Sequence, residues 1–231
     1  MKSILTITRI SKSSWFKINY RDKIIHIDPG YAGFYENQDI PEHELNGDAD
    51  YIFISHEHKD HMQEDAIEKI RGHQTLLICS MSCSSHLSKR HEVILPHEAK
   101  IFDDFTVQTI YAYNTEDGHS TKKFHPKDTY LGFIFSFDDV KVYFAGDTDM
   151  TDDMKELENI DIAMLPIGGT YVMDLDEAVE ATKILKPAYV IPMHHANNSL
   201  EIFKDKVEKL TDTQTIVLYN GDSYTFFNES S

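Results

Sequence analysis

The stretch His56-Glu57-His58-Lys59-Asp60-His61 follows directly on the apolar run Tyr51-Ile52-Phe53-Ile54, and nothing else in the chain limits the fold so tightly. A solvated loop would suit Glu57, Lys59 and Asp60, but three imidazoles within six positions have no packing reason to be there. On extended backbone alternate residues share a face, so His56 and His58 are expected to point the same way and grip one ion. Asp60 and His61 fall where the chain should turn into the helical pattern that begins near Gln63, beside the first pair, where a second ion could sit. Neutral imidazole suits Zn, Fe, Ni or Cu, and a carboxylate among the imidazoles widens the choice to Mn.

Length and charge bound what such a site can serve. With 231 residues, 41% of them hydrophobic, the chain can bury a substantial core, and one domain spanning 1–231 is expected. No stretch approaches the roughly 18 apolar residues of a membrane span, and Met1 to Arg9 lacks an apolar leader, so a soluble, cytoplasmic protein is expected. A formal charge of −17 argues against a nucleic-acid groove, which needs a basic footprint. It leaves a small anionic substrate open, because bound divalent cations invert the local field whatever the net charge. Cys79 and Cys83 are the only cysteines, too few for a disulfide framework and without the Cys-x-x-Cys spacing of structural zinc sites. They read as ordinary thiols in a reducing compartment.

The first half is strand-rich. Ile4 to Ile7, Trp15 to Tyr20 and Lys23 to Ile27 are short runs of β-formers, expected as a meander of antiparallel hairpins. Asp28-Pro29-Gly30 ends the third run and reads equally as a plain turn or as an acidic group near the metals. Gly33 to Gly47 reads as a polar loop walling a cleft. Ala66, Ile67 and Ile70 recur at helical spacing with Gly72 as the expected stop; strands follow at Thr75 to Ile78, Val93 to Leu95, Lys100 to Phe102 and Phe105 to Tyr111. Asn114 to Asp128 is then a long loop, of a length that is often functional, and it holds two candidate ligands, His119 and His125.

The second half carries longer helices. Leu131 to Phe137 and Val140 to Ala145 should form a hairpin that delivers Gly146-Asp147-Thr148, where a carboxylate beside a permissive glycine can bridge two cations. Ile160 to Ile167 reads as a buried strand. Asp174 with Glu177 has the spacing of a helix-capping pair, and Leu175, Ala178, Val179, Thr182 and Leu185 supply that helix with an inward face. Ala188 to Met193 reads as a strand ending in His194-His195, of which extended backbone would let only one face the metals. A helix over Ser199 to Leu210 should bury Leu200, Phe203, Val207 and Leu210, and Thr215 to Tyr219 and Tyr224 to Phe227 read as strands about an Asn220-Gly221 turn.

His56-x-His58-x-Asp60-His61 resembles the HxHxDH signature of the metallo-β-lactamase-fold metallohydrolases. Val140 to Thr148 resembles that family's strand ending in a metal-bridging Asp, and Val190-Ile-Pro-Met-His194 its last strand ending in a metal-ligand His; the resemblance runs in order across nearly the whole chain. Phe124-His125-Pro126-Lys127 with Tyr113-Asn114 resembles a branch of uncharacterised hydrolases, which selects His125; Gly118-His119-Ser120 resembles the Gly-His-Thr of other branches. The resemblance leans towards the branch of ascorbate-6-phosphate lactonases and NAPE-type phospholipase D-like hydrolases. It implies a four-layer αββα sandwich of α+β class and two divalent ions, Zn or Mn. One ion would be held by His56, His58 and His125, the other by Asp60, His61 and His194, with Asp147 bridging and Asp60 as the catalytic residue. Such a pair of ions generates hydroxide near neutral pH and polarises the bond under attack, which implies a hydrolase of small phosphodiester or lactone-type substrates. The competing expectation is a metal-binding sensor or scaffold of the same fold without turnover.

Overall fold

The computed structural model describes residues 4–31 and 40–227. The chain divides into two compact units, 1–94 with 218–231 and 95–217. Of the loop expected over Gly33 to Gly47, residues 33–39 lie outside the described residues; the rest holds a short 3-10 turn, Glu42–Glu44, whose Glu44 carboxylate pairs with Lys17.

The first unit is built on a seven-stranded sheet. Its strands are β1 (Ile4–Arg9), β2 (Phe16–Tyr20), β3 (Lys23–Ile27), β4 (Ala49–Ile54), β5 (Arg71–Cys79), β6 (Glu92–Val93) and the last strand of the chain, β14 (Ser223–Phe227), in the order β14-β1-β2-β3-β4-β5-β6. The first three form the expected antiparallel meander, with Ile7 opposite Ile18 and Ile18 opposite Ile25. From β3 onward the pairing is parallel, so each connection must cross over, and the β4-to-β5 crossing is helix α1 (Glu64–Ile70). Ala66, Ile67 and Ile70 are buried on α1 and pack in one cluster with Ile52, Ile54, Leu77 and the thiols Cys79 and Cys83, both of them free. Gly72 is not the stop. Arg71 already has extended backbone (φ −80°, ψ 124°) and opens β5, so Gly72 is a strand residue whose N–H bonds Thr75 Oγ1 at 2.7 Å.

The second unit repeats the pattern. Its strands are β7 (Ala99–Ile101), β8 (Thr106–Tyr111), β9 (Leu131–Phe137), β10 (Val140–Phe144), β11 (Ile162–Pro166), β12 (Tyr189–Met193) and β13 (Gln214–Thr215), ordered β13-β12-β11-β10-β9-β8-β7. Pairing is antiparallel from β7 to β10 and parallel from β10 to β13. Between the parallel strands run a single turn, α2 (Asp152–Lys155), and two full helices, α3 (Leu175–Leu185) and α4 (Leu200–Leu210). Asp174 caps α3 by accepting the Glu177 N–H at 2.8 Å, and Ala178, Val179, Thr182 and Leu185 are buried, as their spacing implies, whereas Leu175 in the first turn is only partly buried. On α4, Leu200, Phe203 and Val207 are buried, about 1.5–3 kcal/mol each. Leu210 is not: at the helix end it is 52% exposed. The expected closing hairpin is also absent, because β13 and β14 belong to different sheets and Asn220-Gly221 turns the chain from one to the other.

Candidate metal centre

In parallel sheets the carboxyl ends of the strands carry the functional loops, and here they carry all but one of the candidate residues. β3 ends at Asp28, β4 at the His56 loop, β10 at Asp147 and β12 at His194, while His125 stands on the loop between β8 and β9.

In the first unit the chain leaves β4 and coils at once. Backbone N–H groups of His61 and Met62 both bond the His58 carbonyl, at 2.9 and 2.8 Å. This turn, and not an extended continuation of the strand, gathers the imidazoles: the His56 ring centroid is 4.6 Å from that of His58 and 4.0 Å from that of His61. Asp60 Oδ2 stands 3.6 Å from His61 Nε2. Gly30 packs so closely under the turn that a Cβ there would lie 2.6 Å from the His61 nitrogen, which only glycine permits.

Asp28 is fully buried and settles the tautomers. Its Oδ1 accepts from the Ser55 N–H at 2.7 Å, and its Oδ2 accepts from the Ser55 hydroxyl at 2.6 Å and from His61 Nδ1 at 2.7 Å. Since the Ser55 proton is spent on Asp28, the hydroxyl accepts from His56 Nδ1 at 2.9 Å. One carboxylate therefore fixes two rings, His61 directly and His56 through Ser55, and leaves the lone pair of each on Nε2, the arrangement a metal-binding imidazole needs. Asp28, His56 and His61 offer ligand-type atoms within 4.8 Å of one another, but these bonds make Asp28 the group that orients the rings and not a third ligand. Burial pushes the Asp28 carboxyl above the usual range, opposed by its bonds to His61 and Ser55.

The second unit supplies His125, Asp147 and His194. Gly146 has φ +66°, and a Cβ on it would stand 2.7 Å from the Leu131 carbonyl oxygen, so glycine is needed to swing Asp147 off the end of β10. Asp147 Oδ2 is 3.5 Å from His125 Nε2 and 3.2 Å from His194 Nε2. His125 donates Nδ1–H to the Tyr171 carbonyl at 2.9 Å, again presenting Nε2. His194 has left-handed backbone, φ 45°, so its aim comes from a turn and not from strand alternation; His195 Nδ1 bonds the Asn198 carbonyl at 3.2 Å.

The two loop histidines differ sharply. His125 is 3% exposed. The His119 side chain is 51% exposed and bonds Asp174 Oδ1 at 3.0 Å, which raises its pKa above the ordinary histidine value. Two residues that hold this loop carry little sign of it in the sequence. Asn114 Oδ1 accepts from the N–H groups of Phe124 and His125, both at 2.8 Å, while its Nδ2 donates to the Tyr171 carbonyl at 2.8 Å. Buried Asp149 accepts from Thr115 N, Ser120 N, Ser120 Oγ and Lys123 Nζ, between 2.7 and 3.2 Å. Ser55, a small polar side chain at the end of an apolar strand, carries as little sign in the sequence of its bonds to Asp28 and His56.

A family model described as the β-lactamase superfamily domain matches residues 6–194. A UPF0173 metal-dependent hydrolase of Thermofilum pendens is 36% identical over 183 residues, 75% of this chain and 77% of the relative. Among solved structures, a metallo hydrolase from Ignicoccus hospitalis superposes with a TM-score of 0.78 at 27% identity, covering 96% of this chain and 98% of the other. The metallo-β-lactamase fold protein YhfI from Bacillus subtilis gives 0.73 at 13% identity, covering 97% and 100%. The two mixed sheets with their helices are those of this αββα fold.

Proposed function

We propose, from the premise that the chain belongs to the β-lactamase superfamily and within it to the UPF0173 metal-dependent hydrolases, that residues 1–231 are one domain and that it carries a dinuclear metal centre. His56, His58 and His125 would hold one ion, Asp60, His61 and His194 the other, and Asp147 would supply a carboxylate ligand. The observation that carries this reading is the set of Nδ1 bonds on His56, His61 and His125, which leaves Nε2 as the donor atom on each ring. Three imidazoles so prepared fit a borderline cation of the zinc type, and the carboxylates admit manganese. A divalent pair supplies Lewis acidity and lowers the pKa of water to near neutrality.

The chain's own residues do the rest. Asp60, 26% exposed beside His61, orients the attacking water and takes its proton. Asp28 and Ser55 keep the rings from rotating as charge develops. Any serine or cysteine nucleophile is unnecessary, and the two thiols are buried away from reaction. The substrate is a small phosphodiester or lactone, and a reducing cytoplasm suits the thiols.

Elemental analysis of metal-stripped protein reloaded with excess Zn or Mn tests the centre: two ions per chain are expected, and one would defeat it. His125→Ala should lose an ion and all hydrolysis of a chromogenic phosphodiester and lactone panel, while His119→Ala keeps both ions. The reverse result would move the ligand to His119. Two ions bound with no hydrolysis across the panel would point to a sensor or scaffold instead.

A further inference from the structure

Beside His125 the second unit presents an aromatic rim to solvent. Phe124 is 58% exposed and Tyr171 37% exposed. Their rings lie 5.6 Å apart at 60°, and Phe124 meets the His125 ring edge-on at 5.8 Å. Exposed apolar side chains that adjoin one another, unlike ones scattered singly, commonly mark binding sites. Lys122 completes the rim. Its Nζ stands 5.3 Å from the Tyr171 ring centroid and 3.4 Å from the Tyr171 hydroxyl, and among the described residues it has no carboxylate partner. Lys123, by contrast, is committed to Asp149, Ser120 and the Gly118 carbonyl. In a chain of net charge −17, an ammonium held against an aromatic face with no carboxylate partner among the described residues, next to a candidate metal ligand, calls for an anion.

The rim is also built, not merely exposed. Lys122 N bonds the Thr170 carbonyl at 2.7 Å and Thr121 N the Gly169 carbonyl at 3.1 Å, which lashes the two loops together. The Tyr171 carbonyl accepts from both His125 Nδ1 and Asn114 Nδ2, so one residue orients the imidazole with its backbone and carries the ring of the rim. The aromatic surface is thereby held in register with His125 Nε2.

We propose that Phe124, Tyr171 and Lys122 form the subsite that selects the substrate: an oxyanion ester whose planar aromatic or nucleobase-like group stacks on Phe124, with Tyr171 tilted against it, while its negative charge meets Lys122. This rests on the dinuclear hydrolase reading and narrows it to phosphodiesters over uncharged lactones.

The test uses binding, so that it stands apart from turnover. Phenylphosphonate and methylphosphonate are titrated calorimetrically into the zinc-loaded protein, with metal content checked in every variant. Both offer the same oxyanion, and only one offers a ring. Wild type should favour phenylphosphonate by about 10-fold, the scale of a stacked planar group. Phe124→Ala should bring that ratio close to one, Phe124→Trp should preserve it, and Lys122→Met should weaken both probes. A wild-type ratio near one, or a ratio that Phe124→Ala leaves unchanged, overturns the subsite. If wild type hydrolyses no ester but the ratio and its loss in Phe124→Ala stand, the subsite is supported and only the hydrolase reading fails.

Discussion

Ser55→Ala removes a single oxygen and with it two hydrogen bonds, the 2.6 Å donation to Asp28 Oδ2 and the 2.9 Å acceptance from His56 Nδ1. A hydrogen bond to a charged group contributes about 1.5–3 kcal/mol and a neutral one about 1, so the metal-stripped protein should lose roughly 2–4 kcal/mol. For a chain of this size that lowers the melting temperature by roughly 5–15 °C. In the proposed dinuclear centre the effect on metal should be lopsided. His56 loses the partner that fixes its tautomer, so the ion it holds should bind about 10-fold more weakly, the low end for losing such a support. His61 keeps its own 2.7 Å bond to Asp28, so the other ion should hold. Asp28→Asn strikes both rings, because an amide nitrogen set against His61 Nδ1–H would oppose two donors, and both ions should weaken; Ser55→Thr keeps the hydroxyl and should hold metal better than Ser55→Ala, although its added methyl in a fully buried site costs stability. Competition against a chromophoric chelator, read with elemental analysis, resolves the two ions. If Ser55→Ala binds both as tightly as wild type, the tautomer relay from Asp28 through Ser55 to His56 has no bearing on metal.

Asn114→Ala removes three bonds of 2.8 Å around the His125 loop and should cost about 2–3 kcal/mol in denaturant unfolding, together with one ion; Asn114→Asp, which keeps the two acceptor contacts but sets an oxygen against the Tyr171 carbonyl, should fall between. Burial depresses His26 to about 3, with its Nδ1 accepting from Trp15 Nε1 at 3.0 Å. A histidine held neutral in the fold stabilises above its ordinary pKa and loses that contribution as pH falls from about 6.5 toward the folded value. The stability gap between wild type and His26→Leu should therefore narrow by about 1.4 kcal/mol per pH unit below 6.5; parallel profiles would refute the neutral buried ring.

What could be read in advance was what local chemistry dictates. Apolar runs of β-formers gave the strands, the Asp174–Glu177 spacing gave a real cap, and the histidines clustered at 56–61 lie together in space. What could not be read depends on partners distant in sequence. Ser55 matters because Asp28 lies 27 positions away, and Asn114 because it reaches the Tyr171 carbonyl 57 positions on. The turn expected to bring Asp60 and His61 beside the first pair is present, but it starts earlier than the strand alternation expected for His56 and His58 allows: the His58 carbonyl accepts two backbone bonds and coils the chain there. Leu210 was misjudged because helical periodicity says nothing about where the packed neighbour ends.

The pairing of the first strand with the last has a consequence in time. Ile4 is registered against Phe227 and Thr8 against Ser223, so β1 acquires one of its two neighbours only after more than two hundred further residues exist. At ribosomal speeds of about 5–20 residues per second that is a wait of roughly 10–45 s. The second unit, contiguous over 95–217, has no such wait and can complete its sheet first. Until β14 has been made, the nascent chain carries β1 with an open edge, the kind of surface that chaperones shield and that aggregation exploits.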